Sequence, residues 1–311
     1  MAISVKTVEE LRDRPLYRES LNFSDGSREL LDILGEYTFP ETKMIPCGIQ
    51  GCRTPHMRGF LVVTTDGFET NIGNVCGKKH LGVNFQEKRT AFRQKQSEVR
   101  NVEQIFEVRQ LLVTLQPSLD DLELRSGRVA RLKIFLNKAH PQLARLILGR
   151  AKLAQVKLFK TVLMDESEAL RQYSHEVEPD SKGNLEPFEH WFARRRPTKS
   201  APAGVLAGLS FWKYDLHQLL RQDILNTVNE LNRLNDFEVA QLTSSELRRY
   251  AKWAQTLEPR IHETTLVVLE GESFFSIDNI EALRLLEPDL DRSSRREVKG
   301  ALDQLKAASS Q

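Results

Sequence analysis

The first third of the chain is organised around two short motifs, C-G-I-Q-G-C-R-T-P-H at residues 47–56 and N-V-C-G-K-K-H at residues 74–80. They contain all three cysteines of the 311-residue protein, and a histidine follows the last cysteine of each motif by four residues. Cysteine thiolates and histidine imidazoles are the ligands that Zn²⁺ prefers in structural sites. Glycines beside the cysteines allow the tight turns of a metal-binding loop. The two motifs therefore predict a Zn²⁺ site.

The residues between the motifs have the pattern of a β-hairpin. Gly59–Thr65 is rich in β-branched and aromatic residues, Asp66-Gly67 is a strong two-residue turn, and Phe68–Ile72 alternates as a return strand. Cys76 and His80 then stand four residues apart, a spacing that places both side chains on one face of a helical turn. The expected order is a ligand loop, a hairpin and a helix that begins with the second ligand pair.

This order resembles the treble-clef zinc finger over about residues 45–95. The resemblance implies that Cys47 and Cys52 are the knuckle ligands and that Cys76 and His80 are the helical ligands. Four residues separate the knuckle cysteines, where two are usual, and His56 is an alternative fourth ligand. A cluster of buried thiols with two incidental histidines is the alternative without a metal. A zinc site with four protein ligands has no open position and is expected to be structural. A catalytic role is not favoured, because no nearby carboxylate stands out as a general base.

The remaining sequence predicts a mostly α protein, with long antiparallel helices in a bundle or coiled-coil stalk and a C-terminal helical domain. The predicted segments are an N-terminal helical segment at 1–45, the zinc-binding hairpin module at 46–84, long basic helices at 85–175, and the C-terminal helical domain at 187–311. In the first segment, residues 24–27 have the pattern of a turn into a short helix that buries Leu30, Leu31, Ile33 and Leu34 and stops near Gly35. The polar stretch 174–186 is the predicted boundary before the last domain.

The helical predictions rest on the spacing of apolar residues along the chain. Apolar residues at intervals of seven indicate a buried stripe on a helix from about Asn84 to Leu115; they are Phe85, Phe92, Val99, Phe106 and Val113. Pro117 is expected to end that helix and Ser118 to begin another, and a third is expected from Pro141 to Leu163. An exposed loop to Gly204 and a long helix from Val205 follow. For residues 264–275 the pattern does not decide between strand and helix.

Charge is uneven along the chain, although the net charge is only +2. Residues 46–165 carry 20 Lys and Arg against 10 Asp and Glu, a local excess of +10. A basic face beside a zinc module favours nucleic acid as the partner, DNA in the first instance. The residues expected to contact phosphates are Arg53, Lys78, Lys79, Lys88, Arg89, Arg93 and Lys95. A solvated basic surface is the alternative explanation.

No nucleotide-binding, hydrolase or metalloprotease motif is present, so the sequence favours a non-catalytic protein without excluding an enzyme assembled from distant residues. The first functional hypothesis is a zinc-finger protein that binds nucleic acid. The second is a helical scaffold with a structural zinc site, in which the stalk binds a protein partner or a second copy as a homo-oligomer. Without a long apolar run or a secretory pattern, we expect no membrane association and a cytoplasmic location.

Overall fold

The protein is described by a computed structural model that covers residues 3–24, 26–179, 181 and 184–309. Seven β-strands occur in these residues: β1 Leu30–Thr38, β2 Ile45–Pro46, β3 Pro55–His56, β4 Arg58–Thr64, β5 Glu69–Gly73, β6 Lys157–Leu163 and β7 Thr198–Val205. They form a three-stranded antiparallel sheet in the order β1-β4-β5 and two two-stranded ribbons, β2-β3 and β6-β7.

Helices make up most of the described chain, so the predicted mostly α class is confirmed. The α-helices are α1 Val8–Arg12, α2 Asn74–Ala139, α3 Pro141–Lys152, α4 Glu166–Glu176, α5 Phe188–Arg195, α6 Asn226–Arg233, α7 Asp236–Ala240, α8 Ser244–Phe274, α9 Ile277–Ala282 and α10 Arg292–Ser309. Three 3-10 helices span Glu41–Lys43, Leu209–Lys213 and Leu283–Asp289, and a π-helix spans His217–Leu225. None of the described helices has a stretch long and apolar enough to cross a membrane.

The three-stranded sheet is buried on both faces, which explains the continuous apolar run in β4. Phe60 and Val62 pack on one face with Cys47, Cys76 and Phe85. Leu61 points to the other face, where residues of α1 and the end of β1 pack against it. The predicted hairpin is confirmed, because β4 and β5 pair antiparallel on either side of the turn at Asp66-Gly67.

The short helix predicted between the turn at 24–27 and Gly35 is wrong, because Leu30–Thr38 forms β1 and pairs along its length with β4. Four apolar residues close together fit a strand as well as a helix, and periodicity alone cannot separate the two. The deciding contacts come later in the segment, where buried Ile33, Gly35 and Tyr37 alternate with more exposed residues. Asp25, in the predicted turn, lies outside the described residues.

Pro117 does not end the long helix, contrary to the sequence expectation. It lies inside α2, which continues to Ala139. An interior proline removes one backbone hydrogen bond. Burial on both sides of Pro117 offsets this loss, because Ile105, Leu112 and Leu119 are at most 1 % exposed. The buried stripe therefore differs from the predicted one, in which Val99 and Val113 are 53 % and 77 % exposed.

The third predicted helix stops earlier than expected. α3 ends at Lys152, Ala154 adopts a left-handed conformation with φ of 52°, and the chain then enters β6. β6 pairs with β7, so the segment predicted as an exposed loop is largely a strand. Pairing between segments that are far apart in sequence leaves no local signal in either of them.

The predicted long helix from Val205 is replaced by shorter pieces. Gly208 has a φ of 60°, and a Cβ atom there would stand 1.9 Å from the Glu270 carbonyl oxygen. The chain turns at this glycine into a 3-10 helix, a π-helix and α6. Residues 264–274, which the sequence left undecided, are helical within α8.

The described chain forms two compact units. The first contains the residues up to Glu107 together with Asp236–Lys252, and the second contains Val108–Asn235 together with the residues from Trp253 onward. The four predicted segments stay a prediction, since this division rests on spatial contacts and does not test independent folding.

Candidate metal centre

The three cysteines lie together although 23 residues separate the second from the third. Cys47 follows β2, Cys52 lies in the loop between β2 and β3, and Cys76 is in the first turn of α2. Their Sγ atoms are all within 4.8 Å of one another, and all three thiols are free. A tetrahedral Zn²⁺ with Zn–S bonds of about 2.3 Å separates its sulfur ligands by about 3.8 Å. The cysteine cluster, Cys47, Cys52 and Cys76, can therefore hold a metal ion with small adjustments.

The loop that carries Cys47 and Cys52 is a tight turn held by its own backbone. The amide of Cys47 donates to the Thr54 carbonyl at 3.0 Å, and the amide of Cys52 donates to the Ile49 carbonyl at 3.0 Å. Gly51 and Arg53 have φ of 82° and 45°, in the left-handed region that favours glycine. These two positive φ values turn the chain sharply on both sides of Cys52.

Gly48 allows this loop to lie against β5. A Cβ atom at this position would stand 1.9 Å from Thr70 Oγ1, so no larger residue fits without a shift. The Gly48 amide also donates to the Asn71 carbonyl at 2.8 Å. The loop is thus fixed to the sheet next to Cys47.

The start of α2 has a defined shape around Cys76. At Gly82 the backbone leaves helical geometry, with φ of 57° and ψ of −130°. Phe85 follows this kink, is fully buried, and packs edge-to-face on Phe60 with 5.6 Å between ring centroids. A Cβ atom at Gly77 would meet the Phe85 ring at 2.5 Å. The short helical segment with Cys76 and His80 is therefore fixed in position, because the chain folds back at Gly82 and the Phe85 ring packs against both Gly77 and Phe60.

Electrostatics in the cluster oppose ionisation of more than one thiol. Burial raises the pKa of Cys47, and burial together with the neighbouring thiols raises the pKa of Cys76 to about 12. Burial acts in the same direction at Cys52, but hydrogen bonds from the Thr54 side chain and backbone outweigh it and lower the Cys52 pKa to about 6. Metal ions bind cysteine as the thiolate. A bound cation would therefore displace the thiol protons of the cluster and neutralise the charge of the thiolates.

The two candidate histidines have different surroundings. The Nδ1 atom of His56 lies 3.2 Å from the Thr54 carbonyl oxygen, and its Nε2 atom lies 2.7 Å from the Tyr37 hydroxyl. Because a carbonyl can only accept, Nδ1 carries the proton and Nε2 accepts from Tyr37. Both ring nitrogens of His56 are thus already used. His80 is exposed, and its interaction with Cys52 contributes to the lowered pKa of that thiol. Neither histidine belongs to the group of ligand atoms that lie within 4.8 Å of one another, which contains the three cysteines alone among the described residues.

A buried polar network below the loop was not anticipated from the sequence. Asn71 is 1 % exposed, accepts a 2.6 Å hydrogen bond from the Tyr17 hydroxyl, and donates at 2.8 Å to the Pro46 carbonyl beside Cys47. Tyr37 adds the contact to His56. An asparagine in a strand pattern gives only a weak signal of this role, because nothing local shows which backbone groups it meets.

The two carboxylates that lie between the motifs in sequence are paired elsewhere. Asp66 accepts hydrogen bonds from Arg28 and from the Thr64 hydroxyl in the hairpin turn. Glu69 is 7 % exposed and forms a bidentate ion pair with Arg14. Neither belongs to the group of side chains that could bind a metal.

The seven basic residues predicted to contact nucleic acid fall into two groups. Arg89 donates to the Asn74 side chain, and Arg93 pairs with Glu36 at 2.6 Å while lying over the Phe60 ring. Both arginines thus have roles within the protein. The other five make no ion pair with any described residue, and four of them are exposed while Lys88 is half-buried; the five are Arg53, Lys78, Lys79, Lys88 and Lys95.

Comparison with known proteins gives no further guide, since no protein-family model, no curated protein and no solved structure matches this chain.

Proposed function

We propose that the cysteine cluster binds one Zn²⁺ and that His80 supplies the fourth ligand. The observation that carries this proposal is the position of three free thiols within 4.8 Å of one another at the start of a helix. His80 is favoured over His56 because it lies four residues after Cys76 in the same helical turn and interacts with Cys52, while both ring nitrogens of His56 are engaged. The loop, hairpin and helix that carry these residues have the same order as in a treble-clef finger.

The proposed zinc ion has a structural role. Four protein ligands leave no open position for substrate, which is the pattern of structural sites. Cys47 and Cys76 also belong to the apolar cluster that includes Phe60 and Phe85. Metal binding would therefore tie the loop and the start of α2 to the sheet core.

We further propose that the surface beside this centre binds nucleic acid through phosphates. Arg53 follows the ligand Cys52 directly, and Lys78 and Lys79 lie between the ligands Cys76 and His80. All three side chains are exposed and form no ion pair with the described residues. Contacts of this kind give strong salt dependence and weak sequence preference, because they read the backbone and not the bases.

Metal content and phosphate binding are tested separately on the full chain. For the metal, we expect one zinc per chain by elemental mass spectrometry after purification without added metal. For phosphate binding, we expect K78E/K79E to weaken binding to a fluorescein-labelled DNA duplex. The slope of log K against log salt should fall by about two, since each lost phosphate contact removes about 0.9.

A matched control is R296E/K299E. These residues are also exposed and unpaired within the described chain, lie on α10 in the second unit, and give the same change in net charge. We expect this variant to keep the slope of the unaltered protein. Equal slopes for K78E/K79E and the unaltered protein would contradict the proposed phosphate contacts.

A scaffold role is the second candidate, and exposed apolar residues on α2 favour it. Val99, Val113 and Leu124 are 53 %, 77 % and 70 % exposed. Apolar side chains left in water along one helix are a common feature of surfaces that bind a protein partner or a second copy. Sedimentation tests this role: a concentration-dependent dimer that dissociates on Val113→Glu supports it, and a monomer at all concentrations contradicts it.

A further inference from the structure

The ribbon of β6 and β7 in the second unit has one partly buried face, which contains Leu158, and one face open to water along its whole length. Leu158 points to the buried face and is 1 % exposed. The residues on either side of it in β6 point the other way, as alternation along a strand requires. On that open face Phe159, Leu163 and Val205 are 48 %, 62 % and 62 % exposed.

The register of the ribbon defines the open face completely. Phe159 lies opposite Pro202, and Thr161 lies opposite Ser200. The open face consists of eight exposed residues in four cross-strand pairs: Lys157 with Val205, Phe159 with Pro202, Thr161 with Ser200, and Leu163 with Thr198. It therefore presents an aromatic ring and aliphatic groups next to hydroxyl groups and one lysine.

The chain around this face is strongly basic. Residues 150–163 and 194–206 contain eight Lys and Arg and no Asp or Glu. Lys199 pairs with Glu168, and Arg194 pairs with Glu186. Five exposed cations form no ion pair with the described residues; they are Lys152, Lys157, Lys160, Arg195 and Arg196.

Four of these cations flank the open face at its two ends, whereas Lys160 lies on the same face as Leu158. Lys152 and Lys157 precede or begin β6, at the end where Val205 pairs. Arg195 and Arg196 precede β7, at the end where Leu163 pairs with Thr198. An apolar face with cations at both ends is complementary to a polyanion that also carries flat apolar groups.

We propose that this open face binds single-stranded nucleic acid, with a base stacked on Phe159 and phosphates paired with the flanking cations. An exposed aromatic ring on a sheet face with a basic border is a common way to bind unpaired bases. Stacking requires a base that is free of its own duplex, which selects single strands. The surface lies within the second unit and goes beyond the phosphate contacts proposed beside the metal centre, on which it does not depend.

A peptide added as a further strand fits the ribbon less well. Pro202 has no amide hydrogen and lies in β7, so an added strand could not pair continuously there. β6 has the 3-10 helix Leu283–Asp289 beside it. The side chains of the open face, and not the strand edges, are therefore the accessible feature.

The test is fluorescence anisotropy of labelled oligo(dT) with the full chain at low salt. We expect Phe159→Ala to weaken oligo(dT) binding about tenfold, because stacking on an aromatic side chain supplies most of the affinity per base. Phe159→Trp should retain binding, since it keeps the aromatic face. Phe237→Ala is the matched control, because Phe237 is 70 % exposed and lies in the first unit.

The outcomes separate this inference from the proposed function. Loss of oligo(dT) binding in Phe159→Ala but not in Phe237→Ala supports the open face, whether or not K78E/K79E alters duplex binding. Equal oligo(dT) affinities for Phe159→Ala and the unaltered protein would overturn the inference. Binding of labelled poly-glutamate with the same dependence on Phe159, and no binding of oligo(dT), would also overturn it and assign the face to an acidic peptide.

Discussion

The cores of the two units are built from different chemistry. In the first unit, Cys47 and Cys76 are part of the same buried cluster as Phe60 and Phe85. In the second unit, the buried apolar residues of the described chain are aliphatic and aromatic without cysteine, and they include Phe274, whose ring centroid lies 5.1 Å from that of Phe275 and 5.5 Å from that of Trp212. The first core contains cysteine thiols that a metal ion can link, whereas the second core is stabilised by the packing of apolar side chains. Loss of metal should therefore affect one unit and leave the other unchanged.

Metal removal should give the largest difference between the units. With a strong zinc chelator, amides of β4 and β5 should lose protection from hydrogen exchange, while those of residues 253–274 in α8 keep it. The expected loss of local stability in β4 and β5 is a few kcal/mol. This is less than the ~10 kcal/mol that zinc binding contributes to the folding of finger peptides without their own core. Equal loss of protection in both units would show that the metal does not distinguish the cores.

Replacement of the two histidines sharpens the assignment of the fourth ligand. His80→Ala should weaken zinc binding by at least ~100-fold, because it removes a ligand. His56→Ala should keep one zinc per chain, because His56 supports the loop through Thr54 and Tyr37. Competition with a chromophoric chelator measures both affinities. The opposite ranking would assign the ligand to His56.

Replacement of two buried asparagines, one in each unit, should have a smaller effect than removal of a metal ligand. Asn71 holds the loop beside Cys47, and Asn279 bonds to the backbone of Ala207 and Phe274. Replacement of either by Ala should lower the free energy of unfolding by about 1–3 kcal/mol, because buried polar groups lose their partners. Only Asn71→Ala should also lower zinc affinity, by about tenfold. Equal zinc affinities of the two variants would show that Asn71 has no positioning role.

The smallest expected effect concerns the pH dependence of the second unit. Arg125 forms a bidentate ion pair with Glu272 at 2.8 and 2.7 Å, and this interaction lowers the pKa of Glu272. The Glu272 carboxylate therefore binds a proton more weakly in the folded protein than in the unfolded chain. The pair contributes stability above the unfolded pKa of about 4.3, and this stability is lost as pH falls through the lower folded value.

Urea unfolding at neutral and acidic pH measures this contribution. Because both side chains are about one-third exposed, we expect it to be at most ~1 kcal/mol. Glu272→Gln should remove it at neutral pH, while Asp121→Asn, which alters a longer and more exposed contact with Arg125, should change less. A Glu272→Gln variant with unaltered stability at neutral pH would contradict the assigned pair.

Local chemistry explains which parts of the structure the sequence predicted. The hairpin was recognisable because Asp66-Gly67 selects a tight turn between two β-rich segments. Thr7 and Thr243 each begin the capping-box pattern of a threonine followed three residues later by a glutamate, and both accept a hydrogen bond from the amide of that glutamate. The convergence of the cysteines followed from ligand spacing. In the hairpin and the helix caps, the residues that decide the structure are close in sequence, and the hairpin itself brings the two cysteine motifs together.

The errors arose where distant contacts decide. β1 was taken for a helix because its partner β4 lies more than 20 residues away. β6 and β7 are separated by α4 and α5, and neither strand carries a local turn signal. Pro117 was taken as a helix end because its cost is local, while the burial of Leu112 and Leu119 that offsets it depends on tertiary packing. Asn71 was missed for the same reason.

Elemental analysis of the purified full chain tests the central claim most directly. The protein and its Cys76→Ser and His56→Ala variants would be prepared without added metal and without a metal-binding tag. We predict one zinc per chain in the unaltered protein and in His56→Ala, and loss of zinc in Cys76→Ser. A metal-free unaltered protein whose β4 and β5 amides remain protected would contradict the claim that this part of the fold is held by a zinc ion.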